Sequence, residues 1–406
     1  MTKADKEGQR KAPILRFKGF TDDWEQRKLG NLFNERKEKS TKGELLSVTL
    51  SNGVTKFSDL NKKDNSNIKS GNYKVVKKND IPYNSMRMWQ GASGVSSYDG
   101  IVSPAYTVLV PNRNSNSNFY AVLFKKKSIL NLFTRFSQGL TSDTWNLKYP
   151  ILKDIIVPFT NLEEQKRIFK IFNVINNLLA LYERKLKLLS QVKKYFLDNL
   201  FTEKEYPNLR FKGFTDAWEQ RKLGQVGKTQ SGVGFPNEEQ GGLEGIPFFK
   251  VSDMNNPGNE YEMVNANNYV KDDQLARKKW HPIKSVPAVI FAKVGAAIML
   301  NRKRLVTRPF LIDNNSMAYI FDDSWDINFG KNIFETINLP RYAQVGALPS
   351  YNGSDIQGIK IFLPRKNEQS KIGIFIMTIN EIITLYENKQ QHLTKIKKTL
   401  LNTMFI

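Results

Sequence analysis

The sequence predicts an α/β (α+β) fold class: two globular domains of mixed strand and helix, joined and spaced by two long antiparallel α-helices that form an intramolecular coiled coil. The whole reads as a tandem repeat with pseudo-two-fold symmetry. Three observations predict it. One short segment is written twice, two heptad-patterned segments align without gaps, and the stretches between them are rich in Gly, Asn and Ser with short β-type runs.

The first repeat is LRFKGFTDDWEQRKLG (15–30), which returns as LRFKGFTDAWEQRKLG (209–224); only Asp23 and Ala217 differ. Asp22 with Glu25 suggests a capping box. Trp24, Leu29 and Phe33 then suggest a short amphipathic helix ending near Gly30. Near-identity exceeds what such a helix needs. A surface presented twice to two copies of one partner accounts for it, and so does recent duplication.

Between the repeated parts the chain diverges. Residues 31–150 and 225–355 share little beyond the Gly91-Ala92 and Gly295-Ala296 turns. The first stretch and its exit contain TVLV (107–110), YAVLF (120–124) and DIIVPF (154–159). The second and its exit contain IPFFKV (246–251), AVIFAKV (288–294), MAYIF (317–321) and IKIFL (359–363). Each reads as a strand-rich domain with long loops. Those loops mix cations, amides and aromatics. SMRMWQGASG (85–94) groups Arg87, Trp89 and Gln90, with Lys62, Lys63 and Arg113 elsewhere in the same insert. ARKKWHP (276–282) supplies Arg277, Lys278, Lys279 and Trp280. LNRKRLVTR (300–308) supplies Asn301, Arg302, Lys303, Arg304 and Arg308, and Lys293 stands nearby. Arg and Lys suit guanine edges and phosphates, and Asn and Gln suit adenine edges. Read structurally, each loop is a solvated face around a packed aromatic.

The second repeat pairs residues 164–201 with 368–405, both in a seven-residue apolar pattern. Ile168, Ile175, Tyr182, Leu189 and Phe196 form one stripe; Ile372, Ile379, Tyr386, Leu393 and Leu400 form its counterpart. Ile171, Leu178 and Val192 read as a companion row, with Phe172, Leu179, Leu186 and Leu200 widening it, matched by Phe375, Ile382 and Ile396. At 1.5 Å per residue each helix is roughly 57 Å long, too long to bury its stripe on a small domain, so the two stripes are expected to bury each other. Lys185 and Lys389 interrupt the companion row at matching places; their stems snorkel to water or they set register. Two like modules reading duplex DNA from one side are related by its dyad, which makes the helices antiparallel. Such helices span on the order of 15 bp, implying two short sequences around an unread gap.

The resulting division is a flexible N-terminus (1–12), a first domain (13–160), a first spacer helix (161–203), a second domain (207–365) and a second spacer helix (366–406). Composition narrows the function. Over 406 residues, 62 Lys+Arg against 39 Asp+Glu give a net charge of +23. A surplus of that size points to a polyanion, most simply nucleic acid. The absence of Cys excludes disulfides, thiolate metal sites and Cys nucleophiles, and His281 and His392 alone leave little for metal chemistry. The start, MTKADKEGQRKAP, has no apolar core and no run is long enough to span a membrane, so the expected location is cytoplasmic.

Several motifs nearly appear. GQVGKT (224–229) has two residues between its glycines where GxxxxGK(S/T) needs four, so no ATP site is expected. SGVGF (231–235) and DIPY (80–83) lie in different halves of the chain, and DIPY lacks the first proline of an adenine-methyltransferase motif. DDWEQRK sets its acids too close together for a nuclease metal site, and His281 has no visible acid or nucleophile partner. No catalytic, cofactor-binding or metal-binding residue is assigned.

The doubled RFKGFTDxWEQRKLG, the doubled Glu-Gln-initiated heptad helix, the loops SMRMWQGASGV and AVIFAKVGAAI, and the lead-ins DIIVPFTNLEEQ and IKIFLPRKNEQ together resemble the specificity (S) subunit of type I restriction-modification enzymes over nearly the whole chain. The resemblance implies two target recognition domains, each reading half of a bipartite double-stranded DNA site. It implies a non-catalytic chain that docks two modification (M) subunits, which carry adenine-N6 methylation from S-adenosylmethionine. Up to two restriction (R) subunits, with ATP and Mg, would add cleavage. A standalone DNA-modifying enzyme with degenerate motifs and a DNA-independent coiled-coil scaffold are the alternatives.

Overall fold

Two helices, Leu162–Leu200 and Lys366–Thr403, run through the chain without a break. Neither contains proline, and each places apolar residues at alternating three- and four-residue steps. The computed structural model describes residues 11–50, 52–60, 63, 66–344, 346 and 348–406. The chain forms two compact units: residues 1–183 with 388–406, and residues 184–387. Each long helix therefore contributes one part to each unit.

In the first unit, Glu25–Lys28 pairs antiparallel with Ile156–Phe159. A three-stranded sheet in the order Phe33–Glu35, Tyr106–Pro111, Ile81–Asn84 stands beside this ribbon. The helices Ser117–Leu123 and Lys127–Phe136 supply Phe119, Tyr120, Ile129 and Phe133 to a core that also holds Trp24, Leu29, Phe33 and Phe172. The end of the second long helix closes this core. The Phe405 ring lies 5.2 Å from Phe119 and 5.8 Å from Phe172, and Leu15 donates its backbone N–H to the Thr403 carbonyl at 2.9 Å.

The second unit repeats this construction. Glu219–Lys222 pairs antiparallel with Lys360–Leu363. A four-stranded sheet runs in the order Gly227–Ser231, Ser316–Phe321, Ala288–Ala292, Lys303–Val306. Here Phe201, just past the first long helix, stacks on Phe329 at 5.1 Å, and Leu209 donates to the Asn199 carbonyl at 2.9 Å. The two domains thus differ in their sheets and agree in how a helix end plugs the core.

Within each unit the long helices are antiparallel. In the first, Ile168 and Phe172 share the core with Leu400, Met404 and Phe405. In the second, Phe196 meets Phe375 at 4.7 Å and the Lys185 ammonium donates to the Tyr386 hydroxyl at 3.1 Å. Eleven residues along one helix match eleven in the opposite sense along the other. Ile168, Ile175, Ile372 and Ile379 are buried; Tyr182, Leu189, Phe196, Tyr386, Leu393 and Leu400 are half-buried. On the companion side the positions four residues past the main stripe are the more buried: Phe172, expected to widen the row, and Ile376 are fully buried, while Ile171 and Phe375 are half-buried. Lys185 and Lys389 are exposed, as snorkelling requires. The lysines that enter the apolar stripe are the matched pair Lys193 and Lys397, and burial lowers the pKa of each.

A carboxylate and an amide at the head of each long helix tie these parts together. Glu164 is fully buried and accepts from Arg16 Nε at 2.7 Å and from Arg16 Nη2 at 2.9 Å. It also accepts from Trp24 Nε1 at 3.1 Å and from the Thr160 hydroxyl. Gln165 accepts from the Asn116 N–H at 2.8 Å, holding the N-cap of Ser117–Leu123. Glu368 and Gln369 repeat this with Arg210 at 2.7 and 2.8 Å and the Asp326 N–H at 2.9 Å. The repeated Glu-Gln pair is a two-way clamp: acid to the repeated motif, amide to the inserted domain.

Two local expectations are corrected. Residues 25–28 form a strand, not a helix. Trp24 and Leu29 are both buried. Five residues apart on a helix they would face about 140° away from each other, whereas the ribbon buries both. YAVLF (120–124) falls mainly in the helix Ser117–Leu123, because the Asn116 side chain caps it by accepting from the Phe119 N–H at 3.0 Å.

Candidate nucleic-acid interface

In the first unit the loop 85–94 leaves the strand Ile81–Asn84 and turns at Met88–Gln90. Met88 is buried, and Gly91 takes the left-handed conformation (φ 89°) that reverses the chain. Trp89 donates from Nε1 to the Met86 carbonyl at 3.1 Å, and its ring meets Trp145 edge-on at 5.2 Å. The Lys125 ammonium fastens the loop by donating to the carbonyls of Gly91 and of Ser93, the latter at 3.0 Å. Burial lowers the Lys125 pKa to about 8. This bracing leaves the Arg87 and Gln90 side chains without hydrogen bonds among the described residues. Arg87 is half-exposed, and Gln90, Lys63 and Arg113 are exposed. Lys62 lies outside the described residues. Trp89 serves the loop's own packing, and the groups left to meet a ligand are an arginine and an amide.

The second unit uses its cations differently. Glu239 is buried, and both its oxygens accept from Arg277, at 2.9 and 2.8 Å. Lys278 is 3.4 Å from the same carboxylate. A hydrogen bond from Gln274, then the Arg277 contact, hold the Glu239 carboxyl below its usual pKa. Lys279 is exposed, and Lys293 donates to the Ser231 hydroxyl at 3.1 Å. Trp280 is buried beside Phe248 at 5.1 Å. The basic run 301–304 turns largely inward. Asn301 accepts from the Leu339 N–H at 3.1 Å, and its amide donates to the Ile337 carbonyl at 3.3 Å. Lys303 is 1% exposed and donates to the same carbonyl at 2.7 Å. Arg304 is half-buried with one nitrogen on the Lys303 carbonyl at 3.0 Å. The reason is the strand Lys303–Val306, whose pairing with Ala288–Ala292 fixes these residues against the domain. Lys303 is thus corrected from a candidate DNA contact to an internal tie, while Asn301 and Arg304 are half-buried with partners inside the domain. Arg302 pairs with Asn255, and the exposed Arg308 donates to the Val264 carbonyl at 2.7 Å.

A second surface recurs in both units. In the repeated motif, Arg16, Trp24 and Leu29 are explained by the clamp and core, but Lys18, Thr21, Asp22, Glu25, Gln26 and Lys28 are exposed, as are all six counterparts at 212–222. Packing does not account for identity at these positions.

A family model described as the type I restriction modification DNA specificity domain matches the chain twice, over residues 21–191 and 215–395. The type I restriction enzyme MjaVIII specificity subunit of Methanocaldococcus jannaschii is 22% identical over 349 residues, covering 81% of this chain and 79% of that one. The MjaIX specificity subunit of the same organism is 24% identical over 310 residues, covering 72% and 69%. Among solved structures, the type I restriction-modification S subunit from M. genitalium superposes with a TM-score of 0.61 at 16% identity, covering 97% of this chain and 99% of that one. A chain from a type I R-M system solved to explain complex assembly and conformational transition superposes at 0.54 with 15% identity, covering 94% and 97%.

Proposed function

The chain belongs to the type I restriction modification DNA specificity family, and from that premise we propose that each of its two units reads one half of a bipartite duplex site. As a member of that family it is the non-catalytic DNA-recognition component of a type I restriction-modification system. The observation that carries the bipartite reading is a shared frame with dissimilar contents. Both units have the same ribbon, clamp and core plug, but present different sheets and different free side chains. A frame repeated for assembly and loops diversified for recognition is the division of labour expected when phosphate contacts position and base contacts specify.

Partner recruitment follows from the exposed half of the repeated motif. We infer that each copy seats one modification subunit, giving two, with up to two restriction subunits joining them. S-adenosylmethionine, ATP and Mg are then handled by those partners, and the bases to be methylated are flipped out of the duplex into them. The chain works in the cytoplasm, where its DNA is; no described helix is long and apolar enough to cross a membrane.

Selection of bound duplexes from a random pool by the chain with its modification subunits tests this reading. Two short fixed sequences around an unread gap of constant length are expected; a single uninterrupted site, or no preference, refutes it. Methyl transfer from S-adenosylmethionine or Mg-dependent cleavage by the purified chain alone would favour the standalone-enzyme alternative.

A further inference from the structure

The two inserts diverge over most of their length, yet both end on one short pattern. It is Arg135-Phe136-Ser137-Gln138 in the first unit and Arg341-Tyr342-Ala343-Gln344 in the second. In each, the arginine and the aromatic residue finish a helical segment, Lys127–Phe136 or the 3-10 turn Leu339–Tyr342. In each, the glutamine then opens a β-bridge, Gln138 with Asn146 and Gln344 with Ser350. The residue after the bridge is anchored in the same way. Leu147 donates its N–H to the Ser85 carbonyl at 2.9 Å, and Tyr351 to the Lys293 carbonyl at 3.0 Å. Ser85 and Lys293 are each the first residue past a sheet strand, Ile81–Asn84 and Ala288–Ala292.

Among the described residues, these hairpins hold out leucines that belong to no core cluster. Leu140 is 101% exposed and Leu348 59%. Arg135 and Arg341 are exposed, and neither guanidinium has an ion pair or side-chain hydrogen bond among the described residues. The first loop is nevertheless well tied. Thr144 and Trp145 donate to the Thr141 carbonyl at 3.0 and 3.1 Å, and Trp145 leans on Trp89 of the candidate reading loop.

A pattern common to two domains that differ in their free side chains cannot encode the difference between their targets. It serves what the targets share, and every duplex sequence shares its sugar-phosphate backbone. A free guanidinium is the side chain best matched to a phosphate, and an exposed apolar side chain a few residues along the same segment suits a deoxyribose face. We propose that these hairpins are a common seating element: Arg135 and Arg341 contact phosphate, Leu140 and Leu348 pack on the adjoining sugar, and neither reads a base. This rests on the bipartite DNA-reading assignment and divides its labour, leaving specificity to loops such as 85–94.

The test measures binding of the chain, with its modification subunits, to a duplex of mixed sequence and to the selected site, by fluorescence anisotropy over roughly 50–200 mM KCl. Arg135→Ala and Arg341→Ala should each weaken binding about fivefold near 0.15 M salt on every sequence, and each should reduce the salt slope by about 0.9. Arg135→Lys should keep the slope. Leu140→Ala should weaken binding with the slope unchanged. The ratio between the selected site and a site altered in one half should stay constant throughout. Variants that bind like the wild type, that change this ratio, or that lose the modification subunits while still binding duplex would each overturn the proposal. A wild-type complex that binds no duplex would instead defeat the reading beneath it.

Discussion

Replacing Glu164 by alanine removes the acceptor at the centre of the first clamp. Its carboxylate is fully buried and takes two hydrogen bonds from Arg16, one from Trp24 and one from Thr160. The Arg16 side chain is only 12% exposed, so the substitution strands a guanidinium in a poorly hydrated place. Breaking a buried pair from one side costs about 3–5 kcal/mol, and the orphaned Trp24 N–H adds about 1 kcal/mol. That is a large share of the roughly 5–15 kcal/mol available to a domain. The second clamp provides the comparison. Glu368 takes the same two bonds from Arg210, but the buried Trp218 Nε1 has no partner among the described residues. Arg210 also donates to the Asp216 carbonyl at 2.6 Å. Glu368→Ala should therefore cost about 1 kcal/mol less than Glu164→Ala. Urea titration with hydrogen exchange read by mass spectrometry separates the two units. Glu164→Ala should deprotect Glu25–Lys28 and Ile156–Phe159 while Ser316–Phe321 stays protected. Equal costs at the two sites, or a cost below about 1 kcal/mol for Glu164→Ala, would refute the clamp as described.

Other expectations follow from the same contacts. Gly373 lets the start of Ile327–Thr336 approach the second long helix, since a Cβ there would lie 2.6 Å from Asp326 Oδ1 and 2.8 Å from the Phe329 nitrogen. Gly373→Ala should destabilise the second unit by about 1–3 kcal/mol, seen as a lower urea midpoint. Burial lowers the pKa of Lys125 and of Lys303 to about 8. Between about pH 8 and 10 the unfolded chain therefore holds more protons at these lysines than the folded one, and their contribution makes stability rise with pH. Above pH 10 the buried Tyr83, Tyr120 and Tyr319, whose pKa values burial raises, reverse the trend. Urea midpoints across this range check both limbs, and Lys303→Met should flatten the first. Arg87→Ala should cost about 1–3 kcal/mol of discrimination at one position of one half-site, measured by competition between duplexes; equal loss on all sequences would make Arg87 a phosphate contact.

The repeat made the architecture legible. Doubled segments marked the frame and the heptad pattern marked the helices, and Ile168, Ile175, Ile372 and Ile379 of the main stripe are buried. Local reading failed where tertiary pairing overruled it. Residues 25–28 carry helix-like signals but have a strand partner far along the chain at 156–159, and YAVLF reads as a strand until its Asn116 cap is seen. The interface was less legible because charge in sequence does not say which way a side chain points. Arg87 and Lys303 looked alike as cations, yet one has no side-chain hydrogen bond among the described residues and the other is sealed beneath the Ile337 carbonyl. The Arg-aromatic-x-Gln pattern was visible in the letters but too short to stand out until two matched hairpins gave it a place.

The most direct test of two independent readers is to exchange residues 31–150 for the corresponding stretch of another family member and sequence the modified bases in cells carrying the hybrid. One half of the methylated site should change while the other half is retained. A hybrid in which both halves change together would contradict the account.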